Sequence, residues 1–123
     1  MNTILIVEDD TLLANALSET LSEAGYSVLT AADGEKAKAI LQNQPVNLVF
    51  LDIMLPGENG YDILNWIRSQ EKIMTLPVVM LTNLGQMNEI NQAMEAGATD
   101  YIIKSNIDME KIATLTKTKY LPS

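Results

Sequence analysis

The sequence predicts an α/β domain, a doubly wound three-layer sandwich built on a parallel sheet. Short apolar runs alternate with stretches of helical period, the pattern of repeated βα units. The runs near the middle of the chain are almost continuously apolar, as strands covered on both faces are. Four runs are also followed at once by polar groups: Glu8-Asp9, Asp52, Thr82 and Lys104. In a parallel sheet those groups leave from one edge, where open α/β sheets bind ligands.

The elements follow in order. Residues 3–7 read as the first strand, and a helix starts near Thr11, with Leu13, Ala14, Leu17 and Leu21 at spacings of three and four. Gly25 closes it, the residue type that best ends a helix in a left-handed conformation. Residues 26–30 form the second strand, and Gly34 opens a weaker helix through Ala37, Ile40 and Leu41, which Pro45 bars from continuing. Residues 46–51 are the third strand, followed by the turn-dense loop Leu55-Pro56-Gly57-Glu58-Asn59-Gly60. The third helix carries Ile63, Leu64 and Ile67, and residues 77–81 are the fourth strand, with proline only at its first position. The fourth helix places Met87, Ile90 and Met94 on one face and ends at Gly97. Residues 100–103 make the fifth strand, and Asp108 caps a last helix to about Lys119. The seven methionines fall mostly at positions that read as core.

A chain of 123 residues fits a single domain, 1–123, large enough for one core without staples. Cysteine and histidine are absent, which removes disulfides, thiolate metal sites, the usual zinc ligand and the commonest general base. With oxygen ligands only, the expected metal is a hard divalent cation such as Mg²⁺, Mn²⁺ or Ca²⁺. The net charge of -8, from 16 acids against 8 bases, argues against direct binding of nucleic acid or of anionic membrane. No apolar run approaches the ~20 residues of a membrane span, and no basic leader precedes the first strand, so the expected location is the cytoplasm.

Acids crowded at a sheet edge repel one another, and a cation resolves that conflict. Glu8, Asp9 and Asp52 are the candidates, whereas Asp10 and Thr11 read as a turn and helix cap. An aspartate at such an edge is a nucleophile able to accept a phosphoryl group as a mixed anhydride. Catalysis then consists of positioning and charge neutralisation, and the Lys104 ammonium suits the second task. Thr82 supplies a hydroxyl able to hydrogen-bond a phosphoryl oxygen.

The segments Ile4-Leu5-Ile6-Val7-Glu8-Asp9-Asp10, Leu51-Asp52-Ile53-Met54-Leu55-Pro56-Gly57-Glu58-Asn59-Gly60, Leu81-Thr82 and Asp100-Tyr101-Ile102-Ile103-Lys104 together resemble the receiver domain of two-component response regulators. The resemblance covers nearly the whole chain. It implies a flavodoxin-like sheet order of 2-1-3-4-5, with the first and third strands adjacent. It also implies a phosphoacceptor switch: a histidine kinase or phosphotransfer protein donates to Asp52, and a partner or fused output domain reads the result. Asp9, Asp52 and the Met54 backbone carbonyl are then ligands of Mg²⁺ (or Mn²⁺), and Glu8 acts largely through water. Lys104 pairs with the phosphoryl group, and Thr82 and Tyr101 form the switch pair. Added phosphoryl charge draws Thr82 inward and lets the Tyr101 ring follow, biasing the surface of the fourth helix, fifth strand and fifth helix.

Departures from the family pattern refine these expectations. Ser105 stands where the family has proline, so no isomer-locked loop is expected after Lys104. Asn83 is larger than the usual residue after the threonine, and apolar Met54 and Leu84 are expected to hinder the attacking water and prolong the phosphorylated state. The fourth helix shows Asn88, Asn91, Gln92 and Glu95 but no basic residue, which does not support a charge-laced homodimer. A phosphorylation-independent binding module of this fold is disfavoured because no acid is lost and the lysine is retained. A metal-dependent phosphatase is disfavoured because Met54 replaces the second acid that chemistry uses, and there is no room for a cap. No output domain is expected within these residues, which fit a stand-alone receiver or a piece of a larger regulator.

Overall fold

The computed structural model describes residues 2–83 and 87–122. Five parallel strands form one sheet: β1 (Thr3–Val7), β2 (Ser27–Ala31), β3 (Leu48–Asp52), β4 (Val78–Thr82) and β5 (Asp100–Ile103). Their spatial order is β2-β1-β3-β4-β5, which is the expected 2-1-3-4-5. Between them run α1 (Thr11–Glu23), α2 (Gly34–Asn43), α3 (Gly60–Ser69) and α4 (Met87–Glu95), and α5 (Met109–Leu115) follows β5.

Alternation along the inner strands creates two cores from the same residues. Leu5, Val7, Val49, Leu51, Val78 and Met80 face α2, α3 and α4, where Ala37, Ile63, Leu64, Ile67 and Ile90 meet them. Ile4, Ile6, Leu48, Phe50, Val79 and Leu81 face α1 and α5, packing with Leu17, Leu21 and Ile112. Every residue of β3 and β4 is buried, whereas the edge strand β2 buries only Ala31.

Local chemistry sets the element ends. Asp10 Oδ1 accepts from Leu12 N and Leu13 N and caps α1, so its role is the structural one expected of it. Asp33 caps α2 by accepting from Lys36 N, and Asp108 caps α5 by accepting from Lys111 N. Gly25, at φ +102°, turns the chain out of α1. Past α5 the helix widens into a π turn over Thr116–Tyr120, with Leu121 N donating to Thr116 O at 2.7 Å. Tyr120 is buried there, edge-on to Phe50 at 6.2 Å, and its hydroxyl donates to Asp100 Oδ2 at 2.7 Å.

Three expectations are corrected. The loop after β3 contains a two-residue hairpin, Met54–Leu55 against Glu58–Asn59, because the Pro56-Gly57 turn folds the segment back on itself. Helix α4 buries Ile90 and Ala93, while Met87 and Met94 are 54% and 40% exposed, so its inward stripe is narrower than the methionine spacing implied. The methionines are not mostly core: Met80 is fully buried, but Met54, Met74, Met87 and Met94 are all exposed.

Candidate functional site

Strand register brings the polar groups together. Val7 lies opposite Leu51 and Asp52 lies opposite Leu81, so Glu8, Asp52 and Thr82 share one edge of the sheet. Thr82 lies opposite Ile103, which delivers Lys104 to the same edge. Right-handed crossovers in a twisted parallel sheet produce this convergence without any local sequence proximity.

At the centre, Lys104 Nζ lies 2.9 Å from Asp52 Oδ2 and 2.7 Å from Glu8 Oε1. Asp52 Oδ1 accepts from Met54 N at 3.1 Å, so the carboxylate is held on both oxygens. Glu8 Oε2 accepts from Asp10 N at 3.0 Å, and its buried Oε1 is paired with the Lys104 ammonium. Asp9 is exposed and stands at the mouth of the site.

Burial is the main force on Glu8 and pushes its carboxyl up to about 7, against the lowering pull of Lys104 and the Asp10 N–H, with the Asp52 charge adding to the rise. Burial pulls the Lys104 ammonium down, but the two carboxylates outweigh it and its pKa is raised. The lysine thus stays charged at neutral pH.

One carboxylate oxygen each from Glu8, Asp9 and Asp52 lie within 4.8 Å of one another. Three hard carboxylate donors at this spacing fit a hard divalent cation. Thr82 is buried, and its Oγ1 donates to Asn83 O at 3.2 Å. Tyr101 is 38% exposed and lines a groove of about 430 Å³ with Ile103, Lys111 and Leu115. The expected site residues Glu8, Asp9, Asp52 and Lys104 come together, whereas Tyr101 sits outward on the flank. Leu84 lies outside the described residues.

Gly60 was read as part of the turn-dense loop, yet it packs directly on the backbone of Asp52 and Ile53. It lies so close to β3 that a Cβ would fall on the Asp52 carbonyl oxygen, and its N–H donates to Ile53 O at 2.6 Å. The sequence signal was a glycine at the first turn of a helix, where it is a poor helix former. After Lys104 the chain makes a short 3₁₀ turn through Ser105 and Asn106, and no cis peptide occurs among the described residues.

A three-layer α/β sandwich with an acidic, lysine-bearing site at the carboxyl edge of its sheet is the arrangement of a phosphorylation-type signalling receiver. Residues 4–117 match the response regulator receiver domain family, and the chain belongs to it. It is 41% identical over 115 residues to the transcriptional regulatory protein CpxR of Klebsiella pneumoniae, covering 94% of this chain and 48% of that protein. It is 42% identical over 101 residues to the probable transcriptional regulator ycf27 of Cyanophora paradoxa, covering 82% of this chain and 41% of that one. The chain thus spans about half the length of the curated relatives it matches. Among solved structures, a putative response regulator from Chloroflexus aurantiacus superposes with a TM-score of 0.86 at 36% identity, covering 95% of each chain. Chemotaxis response regulator CheY4 of Vibrio cholerae superposes at 0.88 with 29% identity, covering 98% of this chain and 99% of that one.

Proposed function

We propose that this receiver domain is a phosphoacceptor switch that takes a phosphoryl group onto Asp52 from a histidine kinase or phosphotransfer protein. The observation that carries the reading is the Asp52 carboxylate, fixed between Lys104 Nζ at 2.9 Å and Met54 N at 3.1 Å beside two further acids. In the transfer, an Asp52 oxygen forms a bond to phosphorus as the phosphorus–nitrogen bond of a phosphohistidine breaks. The electron pair leaves on the imidazole, which takes up a proton. Lys104 neutralises charge on the phosphoryl oxygens, and in doing so exchanges its Asp52 contact for one to the new group.

Asp9, Asp52 and the Met54 carbonyl would hold Mg²⁺ (or Mn²⁺), with Glu8 acting through water. The bound cation supplies electrostatic neutralisation of the acids and of the transferred group. Thr82 and Tyr101 form the switch pair: Thr82 turns to donate to a phosphoryl oxygen, and the exposed Tyr101 ring moves into the space released. The surface of α4, β5 and α5 then shifts its population toward the form a partner reads. The partner is a downstream protein or an output domain joined to the receiver, and the setting is the cytoplasm.

The test is intact mass after incubation with a small-molecule phosphodonor and Mg²⁺. Wild type is expected to gain one phosphoryl group, and Asp52→Asn none. Equal labelling of both removes Asp52 from its role, and labelling of neither favours a phosphorylation-independent binding module.

A further inference from the structure

The loop that carries Met54 is fastened at both ends. At its base, Asp52 Oδ1 accepts from Met54 N, Gly60 N donates to Ile53 O, and Asn59 Oδ1 caps α3 by accepting from Tyr61 N at 2.8 Å. At its far arm, Glu58 reaches away from its own hairpin to α2, where Oε1 lies 2.7 Å from Lys38 Nζ. Both side chains are partly buried, at 30% and 26% exposure, and the ammonium stands 5.7 Å over the Trp66 ring of α3. The other Glu58 oxygen rests against Gly34, which has no Cβ to exclude it, at the amino end of α2. Glu58 thereby joins α2, the hairpin and α3. Hairpin pairing sets Glu58 opposite Leu55 and Asn59 opposite Met54, so the arm that Lys38 holds is the arm that fixes the Met54 backbone.

We propose that Glu58 and Lys38 are positioning residues that set the cation affinity of the Asp9–Asp52 site by holding the hairpin on which the Met54 carbonyl lies. This rests on the phosphoacceptor reading, in which that carbonyl is a ligand. Neither side chain touches the cation; each acts through the backbone of the loop, as outer groups orient the ligands of metal sites.

Mg²⁺ is titrated calorimetrically into wild type, Glu58→Gln, Lys38→Met and the charge-exchanged pair Lys38→Glu with Glu58→Lys. Both single variants are expected to raise the dissociation constant about three- to tenfold, below the 10- to 100-fold typical of outer-shell losses because the pair is partly solvated. The charge-exchanged pair is expected to recover most of the loss. Through-space charge alone gives a different pattern, because removing Lys38 makes the domain more anionic and tightens cation binding. A dissociation constant for Lys38→Met that falls or stays level overturns the proposal, whatever happens to thermal stability. If wild type neither binds Mg²⁺ nor forms the Asp52 adduct, the phosphoacceptor reading fails and takes this one with it. If wild type does both and the variants bind alike, only the positioning role is lost.

Discussion

Replacing Gly60 by alanine opposes two effects of known size. Gly60 is the first residue of α3, and helix propensity alone favours alanine there by up to ~1 kcal/mol. The added methyl, however, would clash with the Asp52 carbonyl oxygen and crowd the Ile53 Cα at 2.9 Å, both backbone atoms of buried residues at the end of β3. Overpacking of that kind costs about 1–3 kcal/mol. Displacement of α3 also stretches the 2.6 Å bond from Gly60 N to Ile53 O, a loss of about 1 kcal/mol. The sum is a net destabilisation of about 1–3 kcal/mol, or several degrees in Tm for a domain of this size. Gly57→Ala is the control: at φ +72° with no atom near its Cβ, it meets only backbone strain of about 1 kcal/mol. Urea unfolding of the three proteins decides the matter, with a lower midpoint for Gly60→Ala than for Gly57→Ala. Because the crowded carbonyl belongs to Asp52, the rate of phosphodonor labelling should fall for Gly60→Ala and hold for Gly57→Ala. A Gly60→Ala midpoint at or above wild type refutes the steric argument.

Three further outcomes follow from contacts already described or adjoining them. Arg68 of α3 donates to Gly97 O at 2.7 and 3.1 Å, to Leu76 O at 2.6 Å and to Met74 O at 3.3 Å, joining the end of α4 to the approach of β4. Arg68→Lys cannot reproduce that planar fork and should lose about 1–3 kcal/mol, with amide exchange rising at the end of α4 and not in α1. Asp100 is opposed by burial but held below its usual 3.8 by the Tyr120 hydroxyl, the Tyr101 N–H and Lys119. A depressed carboxyl stabilises the fold above its unfolded value and ceases to as pH falls through its folded one. Tyr120→Phe should therefore be less stable than wild type by about 1 kcal/mol at neutral pH, with the gap narrowing below pH 3.8 in parallel acid titrations. Met54 is 61% exposed beside Asp52, and Met54→Asn should shorten the phosphorylated lifetime severalfold, measured as phosphate release after donor removal; an unchanged lifetime refutes the shielding role.

The fold was legible because hydrophobic period carries it. The apolar runs at residues 4–7, 48–51 and 78–81 are buried on both faces, and Asp10 and Asp108 cap the helices they were expected to cap. Glu8, Asp52 and Lys104 were legible as strand-end polar groups whose desolvation demands mutual compensation. The 54–59 hairpin was not, since two-residue arms have no period to detect. Met87 and Met94 were misplaced because a shared helix face is broader than the stripe the sheet covers, leaving Ile90 and Ala93 as the buried pair. Gly60 was passed over because its role is set by an atom of a different strand, a relation no local spacing encodes. The Lys38–Glu58 bridge spans 20 residues and depends on α2 and α3 lying side by side.

The sheet has two flanks, β2 and β5, each paired on one side only. Unpaired backbone along a flank is a template on which a foreign strand can grow. Here the invitation is short: five residues in one case and four in the other, with polar Ser27, Thr30 and Asp100 interrupting the apolar character. Substituting valine at Ser27 and Thr30 would extend the apolar border of β2, and strand addition between copies is the failure that such polar margins oppose.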